Sequence, residues 1–225
     1  MLWRGTTLVV PKNVVCLSVC RSFERVMLSN TENLTRLCVQ DDVQTVTTPP
    51  CPNLQELELC CATLSEQGLV FEDMPRLATM RVWTKAVGPT FRLPTQLTAL
   101  FLEMDLMPEE VALLTPLTRL RQLDIASFRG DVPLDLSGLT TLTRLNAYKT
   151  PVSRLPTSLV ECVVFFGANA DLSQLTNLTS LSVGLGLWVK MTFPTVLKRL
   201  EITHGRIDLR DIHGLKLESF KCVPG

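Results

Sequence analysis

The sequence predicts an α/β repeat solenoid, a fold in which short repeats stack around one continuous core. One motif, apolar-x-x-apolar-x-apolar, recurs eleven times, and its starting positions lie 17 to 23 residues apart along the whole chain. A nearly constant period of this length is the signature of stacked repeats. Hydrophobic residues make up 46% of the 225 residues and charged residues only 20%, which favours a large core over disorder.

The motifs indicate where the strands should lie. Alternate side chains of a strand point to opposite faces, so the second and third apolar residues of each motif should point into the core. The residues between them should form the outer surface of one parallel sheet, because stacked neighbours bury the apolar edge that a single repeat leaves open. The motifs begin at Val14, Leu34, Leu54, Leu77, Leu97, Leu120, Leu142, Leu159, Leu178, Leu197 and Leu217.

Two kinds of lead-in precede the strands. One is Leu-x-x-Leu, at 114–117, 136–139 and 172–175, and the other is a proline, as at Pro94, Pro156 and Pro194, echoed by Pro11. The whole pattern resembles the leucine-rich repeat over residues 10–223, with lead-ins similar to the phosphatase-regulatory and the bacterial-effector types. The resemblance implies a single leucine-rich-repeat domain over residues 1–225, an arc with a parallel concave sheet of about eleven strands and mostly non-helical convex turns.

One departure from that family's pattern concerns the position eight residues after the first leucine. An asparagine there usually satisfies backbone groups where the chain leaves the strand, and its absence means that these groups must find other partners. The residues found there are Ser22, Asp42, Ala62, Lys85, Asp105, Phe128, Thr150, Gly167, Gly186 and Gly205.

The linking segments are mostly too short for a full helix, so we expect extended turns or short 3₁₀ pieces. The two 23-residue spacings are the exceptions. Ser65-Glu66-Gln67 opens one possible helix, and Met107–Leu114 is another, with Pro108 and two acidic residues where a first helical turn favours them.

The predicted function is non-catalytic protein–protein recognition, with a partner bound on the concave sheet face. Aromatic residues and arginine dominate interface hot spots, and several should line this face. The alternative is that these side chains cover one another across the strands and only stabilise the sheet. The candidate partner-binding residues are Trp83, Phe101, Tyr148, Phe165, Arg81, Glu103, Arg144 and Asn146. Trp188 is predicted to pack on the convex side, and Trp3 to close the N-terminal end of the core.

Neither catalysis nor a cofactor is predicted. The two histidines, His204 and His213, lack the spacing of a catalytic triad, and the chain has no glycine-rich phosphate loop. Cys16, Cys38 and Cys60 form a diagonal on the outer face that could hold zinc or respond to oxidants. Because no paired CxxC spacing accompanies them, the sequence predicts no metal site.

The composition also limits partners and location. A formal net charge of zero argues against nucleic acid, and no apolar run reaches the length of a membrane helix. Eight cysteines without a repeating framework favour reduced thiols in the cytoplasm over an extracellular receptor. The last motif lacks a polar cap, which favours two alternatives: self-association through uncapped solenoid ends, or the substrate-targeting portion of a larger enzyme or enzyme complex of the ubiquitin-ligase or phosphatase type.

Overall fold

The structure is a computed structural model that describes residues 6–20, 25–40, 45–64, 71–87, 91–130, 132–166, 170–185, 190–204 and 208–223. The chain divides into two compact units. Unit 1 comprises Met1–Met104 and Ala112–Arg119, and unit 2 comprises Asp105–Val111 and Leu120–Gly225. Trp3 and Trp188 lie outside the described residues, so their predicted roles remain predictions.

Unit 1 carries two parallel sheets. Its strands are β1 (Thr6–Val9), β2 (Cys16–Val19), β3 (Arg25–Ser29), β4 (Arg36–Val39), β5 (Thr45–Thr47), β6 (Glu56–Leu64), β7 (Thr79–Val87) and β8, which begins in this unit (Ala99–Leu106). The five motif strands pair in the order β2-β4-β6-β7-β8, each in parallel with the next. The linker strands β1, β3 and β5 form a separate three-stranded sheet.

Unit 2 repeats this arrangement with shorter linker strands. Its strands are β9 (Gln122–Phe128), β10 (Leu134–Asp135), β11 (Arg144–Arg154), β12 (Glu161–Phe166), β13 (Ala170–Asp171), β14 (Ser180–Leu185), β15 (Met191–Thr192), β16 (Arg199–His204) and β17 (Ser219–Cys222). The motif strands pair in parallel in the order β9-β11-β12-β14-β16-β17. In the linkers, β10 pairs with the end of β11, and β13 pairs with β15.

Helix is scarce in the described part of the chain. It comprises two 3₁₀ helices, Phe71–Asp73 and Pro108–Leu113, and the four-residue α-helix α1 (Leu209–Ile212). The helix expected over Met107–Leu114 is therefore present in 3₁₀ form and is one residue shorter at each end, whereas Ser65-Glu66-Gln67 lies outside the described residues. Within the described residues, each of the eleven motifs coincides with one strand of a parallel array, which confirms the predicted repeat-solenoid fold class.

The core consists of the motif side chains that were expected to point inward. From the second motif to the tenth, both inward positions are buried, as Leu57 and Leu59 show in unit 1 and Leu181 and Val183 in unit 2. The last motif differs, because Phe220 on β17 is 43% exposed. No helix in the described residues combines the length and apolar character needed to span a membrane.

Both kinds of lead-in make the same turn. Its hydrogen bond runs from the N–H of the first motif residue to the carbonyl three residues earlier. Leu97 donates to Pro94 at 3.3 Å, and Leu142 donates to Leu139 at 2.9 Å. Proline has no N–H to donate, but this turn uses only its carbonyl, so proline and leucine are interchangeable there.

Strand pairing continues past two of the positions where the leucine-rich-repeat pattern has an asparagine. The β6–β7 pairing extends through Cys61↔Thr84, Thr63↔Ala86 and Leu64↔Val87, so Ala62 and Lys85 lie inside paired strands. The strand ladder therefore continues on both sides of these two positions, where an asparagine would otherwise mark the end of the strand. Five of the ten positions fall outside the described residues, namely Ser22, Asp42, Gly167, Gly186 and Gly205.

Candidate functional site

Trp83 is the most prominent side chain on the outward face, a term used here for the surface that the third, fifth and seventh residue of each motif form on the motif-strand sheet of each unit. It lies on β7, which pairs with β6 on one side and β8 on the other, and its register partner on β6 is Cys60. Its exposed fraction is 62%. The pairing with β6 includes Trp83 itself, and the pairing with β8 extends as far as Val82. This large ring is therefore presented to solvent from a paired strand.

Arg81 and Phe101 form a second aromatic feature in unit 1. They are register partners on β7 and β8, and the Arg81 Cζ atom lies 3.9 Å from the centroid of the Phe101 ring. A guanidinium over a ring at this distance makes a cation–π contact, worth about 0.5–1 kcal/mol at an exposed site. Glu103 follows on the same face of β8 and is exposed. The four candidate residues of unit 1 therefore occupy adjacent positions on two neighbouring strands.

In unit 2 the two candidate aromatics pack over a glycine. A Cβ atom built on Gly184 would lie 2.8 Å from Phe165 Cδ2 and 3.4 Å from Tyr148 Cε2. The Thr203 hydroxyl on β16 donates to the Tyr148 hydroxyl oxygen at 3.5 Å, a long hydrogen bond. The rings of Tyr148 and Phe165 therefore lie along the sheet, and both are only partly exposed.

The two polar candidates of unit 2 are paired with their cross-strand neighbours. Arg144 Nε lies 3.3 Å from a Glu161 carboxylate oxygen, and the Asn146 amide donates to an Asp124 carboxylate oxygen at 3.1 Å. Exposed pairs of this kind contribute little to stability, about 0–1 kcal/mol. In unit 2 the geometry thus favours the alternative that these side chains stabilise the sheet, whereas Trp83 in unit 1 remains largely uncovered.

Sequence reasoning missed three contributors to the outward face. Gly184 and Thr203 complete the aromatic packing of unit 2. In unit 1, Arg36 lies between two carboxylates, 3.5 Å from Glu56 and 3.6 Å from Glu58. The signal that identifies them is cross-strand register, because the partners lie at matched or diagonal positions of neighbouring motifs.

The cysteine diagonal does not form a ligand cluster. Cys16, Cys38 and Cys60 lie on successive strands, each two residues further along, so their Cα atoms are about 8 Å apart by strand geometry. Cys38 is buried, and burial raises the pKa of its thiol. Among the described residues, no group of three or more His, Cys, Asp or Glu side chains could hold a metal ion. His213 is exposed, and the His204 side chain lies outside the described set.

Comparisons with solved structures show proteins similar to this chain. No protein-family profile and no curated protein sequence matches the chain. Among solved structures, the chain is similar to an internalin from Listeria monocytogenes, with 15% sequence identity and a TM-score of 0.39. That match covers 87% of this chain and 71% of the internalin chain.

Proposed function

We propose that the protein is a non-catalytic recognition scaffold that binds a partner protein on the outward face of its unit 1 motif strands. The observation that carries the proposal is the exposure of Trp83, an uncovered tryptophan on a strand paired on both sides. Tryptophan, tyrosine and arginine are enriched in interface hot spots, and tryptophan buries a large, rigid ring at low entropic cost.

The neighbours of Trp83 fit the role of an anchor site. Arg81 is held over Phe101, so it offers a positioned guanidinium beside the indole. Glu103 supplies an exposed carboxylate on the next strand, and Cys60 is only half-buried on the other side. An exposed aromatic centre with polar groups around it resembles the anatomy of a recognition patch. We assign the main energetic role to Trp83, Arg81, Phe101 and Glu103. Partner binding by the unit 2 candidates stays a prediction from the sequence.

The test uses site-specific photo-crosslinking at the outward face. A photoreactive phenylalanine derivative at position 83 should crosslink a partner protein in native lysate, and the same derivative at position 132 should not. Val132 is the matched control, because it is exposed at 76% but lies in a linker, away from the motif strands. Replacing the anchor, Trp83→Ala, should weaken binding of the identified partner by about 30-fold or more, as expected for a hot-spot tryptophan.

The control variant Val132→Ala should bind the partner with unchanged affinity. Circular dichroism should show the same folded signal for both variants, since neither position contributes to the core. If nothing crosslinks from position 83, or if Trp83→Ala binds the crosslinked partner as tightly as the wild type, the outward face is not the binding surface.

We further propose a cytoplasmic location. Seven cysteines have side chains in the described part of the chain, and all seven are free thiols: Cys16, Cys20, Cys38, Cys51, Cys60, Cys162 and Cys222. Thiols of this number stay reduced in the cytosol and are prone to oxidation outside it. Fractionation of the native cells, with alkylation of thiols before lysis, tests the proposal, and recovery in a secreted fraction would contradict it.

Self-association through the exposed edge strand β17 remains a prediction. Phe220 on β17 and Val223 just after it are 43% and 38% exposed, and among the described strands β17 pairs with β16 alone. Such an edge can template pairing with another chain. Sedimentation velocity over a range of concentrations should show association that Phe220→Lys reduces, and a monomer at every concentration would contradict it.

A further inference from the structure

Short linker strands in unit 2 form a ladder that is interrupted at one place. β10 pairs with the end of β11 through Leu134↔Val152 and Asp135↔Arg154. Two repeats further along, β13 pairs with β15 through Ala170↔Met191 and Asp171↔Thr192. Between these pairs, no described residue of 152–154 is paired with 170–171. Successive repeats should place these segments side by side, so the ladder has a gap that is bounded by two strand edges.

Backbone groups face this gap from both sides. Ala170 and Leu172 donate their N–H groups to Lys190 and Thr192, at 3.2 and 2.8 Å. Alternate residues of a strand direct their backbone groups to opposite sides, so the N–H and C=O of Asp171 point away from β15. On the other edge, Val152 pairs with Leu134 and Arg154 pairs with Asp135, and the carbonyl of Arg154 accepts from Leu136 at 3.0 Å. The register shifts between these two pairs and skips Ser153, so Ser153 has no register partner on β10.

A cavity of about 610 Å³ occupies the gap, and its lining includes both Ser153 and Asp171. This volume lies within the range of ligand-binding pockets. The floor is apolar and consists of four buried side chains, Val152, Phe166, Leu172 and Leu175. The rim is polar, with Ser137, Thr157 and Gln174 exposed. The cavity is therefore an apolar slot between two parallel strand edges.

The interruption has a cause in the sequence. The repeat from Leu142 to Leu159 is the shortest of the chain, at 17 residues. The strand of this repeat, β11, continues without a break from the motif-strand sheet into the linker. The register between β11 and β12 shifts between Ala147 and Pro151. Three extra residues on one strand form a bulge, which bends that strand and changes its twist. The end of β11 pairs with β10 and does not pair with β13.

We propose that this slot binds an extended peptide segment of a partner protein, which adds as a strand between Ser153 and Asp171. The backbone of the peptide would pair with the N–H and C=O groups on both edges, as in other cases of strand addition. Because side chains alternate along a strand, every second peptide residue would face the floor and should be apolar. The site is distinct from the outward face, and the proposal does not depend on a partner binding at Trp83.

The test selects peptides from a displayed library of random heptapeptides on the immobilised wild-type protein. Selected peptides should share alternating apolar residues, and one consensus peptide is then synthesised with a fluorescent label. Asp171→Pro removes the N–H that faces the slot and leaves the N–H groups of Ala170 and Leu172 in place. The matched control, Asp171→Ala, keeps the backbone N–H and removes only the carboxylate. Fluorescence polarisation should show binding at least about tenfold weaker for Asp171→Pro than for Asp171→Ala, consistent with a lost hydrogen bond and a steric block.

Amide hydrogen exchange of the wild-type protein supplies a readout that does not depend on how the proline variant folds. Bound peptide should slow the exchange of the Ser153 and Asp171 amides. Trp83→Ala should bind the same peptide as tightly as the wild type, which separates this site from the outward face. The proposal is overturned if no peptide is enriched over uncoated beads, if binding is lost in Trp83→Ala, or if protection appears away from these two amides.

Discussion

Thr150 is a buried residue whose polar atom finds no hydrogen-bond partner. Its exposed fraction is 0%, and among the described residues its Oγ1 is the one buried side-chain nitrogen or oxygen without a partner. It stands at a position where the family pattern has an asparagine, within the bulged strand β11. A buried hydroxyl without a partner costs free energy, because it loses its hydrogen bonds to water on folding.

Thr150→Val should therefore stabilise the protein by about 1 kcal/mol, since valine has the same shape and no hydroxyl. Thr31→Val is the matched control: Thr31 is also 0% exposed, but its hydroxyl donates to the Pro50 carbonyl at 3.1 Å. The control should lose about 1 kcal/mol. Urea unfolding measures both changes, and a loss of stability in Thr150→Val would show that its hydroxyl does have a partner.

Gly184 provides the space that the Tyr148 and Phe165 rings occupy. Gly184→Ala would force the Phe165 ring to move, because the new methyl group would lie 2.8 Å from Cδ2. We expect a loss of roughly 1–3 kcal/mol, typical of overpacking. Gly138→Ala is the control, because nothing lies within 4 Å of a Cβ there, and it should gain roughly 0.4–1 kcal/mol. Thermal unfolding of the two variants should shift in opposite directions, and equal shifts would contradict the packing argument.

At the scale of elements, two linkers of unit 2 share the sequence Asp-Leu-Ser. In each, an aspartate carboxylate accepts a hydrogen bond from the backbone N–H two residues later, Asp135 from Ser137 at 2.9 Å and Asp171 from Ser173 at 3.0 Å. Such aspartate turns order the chain where a linker strand ends. They overlap the first two residues of the Leu-x-x-Leu lead-ins, so they help to set the turn that starts the next motif.

The turn at Asp135 should make stability depend on pH. Hydrogen bonds from the side chain and backbone of Ser137 lower the pKa of the Asp135 carboxyl below its ordinary value of 3.8, and Arg154 adds a weaker effect. A lowered folded-state pKa contributes stability that is complete above the ordinary pKa and is lost as pH falls through the folded value. Asp135→Asn should thus be less stable than the wild type at pH 7, and the difference should vanish below the folded-state pKa.

The loss at pH 7 should be small, because the Asp135 side chain is 48% exposed and solvent screens its charge. Urea unfolding at a series of pH values measures the difference. Glu32→Gln removes another exposed acid, outside these aspartate turns and outside the helices, and should change stability little at any pH. A wild-type advantage that persists unchanged at the lowest pH would argue against the carboxylate as its source.

At the scale of the whole molecule, the single domain expected from the sequence stays a prediction. The motif spacing continues without interruption from Leu97 to Leu120, where the chain passes from unit 1 into unit 2. Repeat proteins couple each repeat to its neighbours, so an unbroken array should unfold cooperatively. Urea unfolding followed by circular dichroism and by tryptophan fluorescence should give coincident single transitions. Two separate transitions would instead assign the units to independent domains.

The spacing of apolar residues within each repeat was enough to predict much of the fold. The eleven motif strands and their inward side chains follow from apolar spacing, because side-chain alternation is a property of each strand by itself. The interruption beside β11 was not predicted, because a bulge arises from how a short repeat fits its neighbours. Whether an outward aromatic residue stays exposed for a partner or packs on its neighbours was likewise not predicted, since its exposure depends on the side chains of the adjacent strands.

The amino-acid sequence by itself determined the repeat, the period, the parallel strands and the identity of the core, since each follows from local spacing that holds in every repeat. Tertiary structure decided which outward side chains stay uncovered. Trp83 remains exposed on β7, whereas Tyr148 and Phe165 pack over Gly184. It also decided that the strand edges at Ser153 and Asp171 face a cavity. The physical reason is that exposure and edge pairing depend on contacts between residues about 20 positions apart, which the pattern within one repeat does not encode.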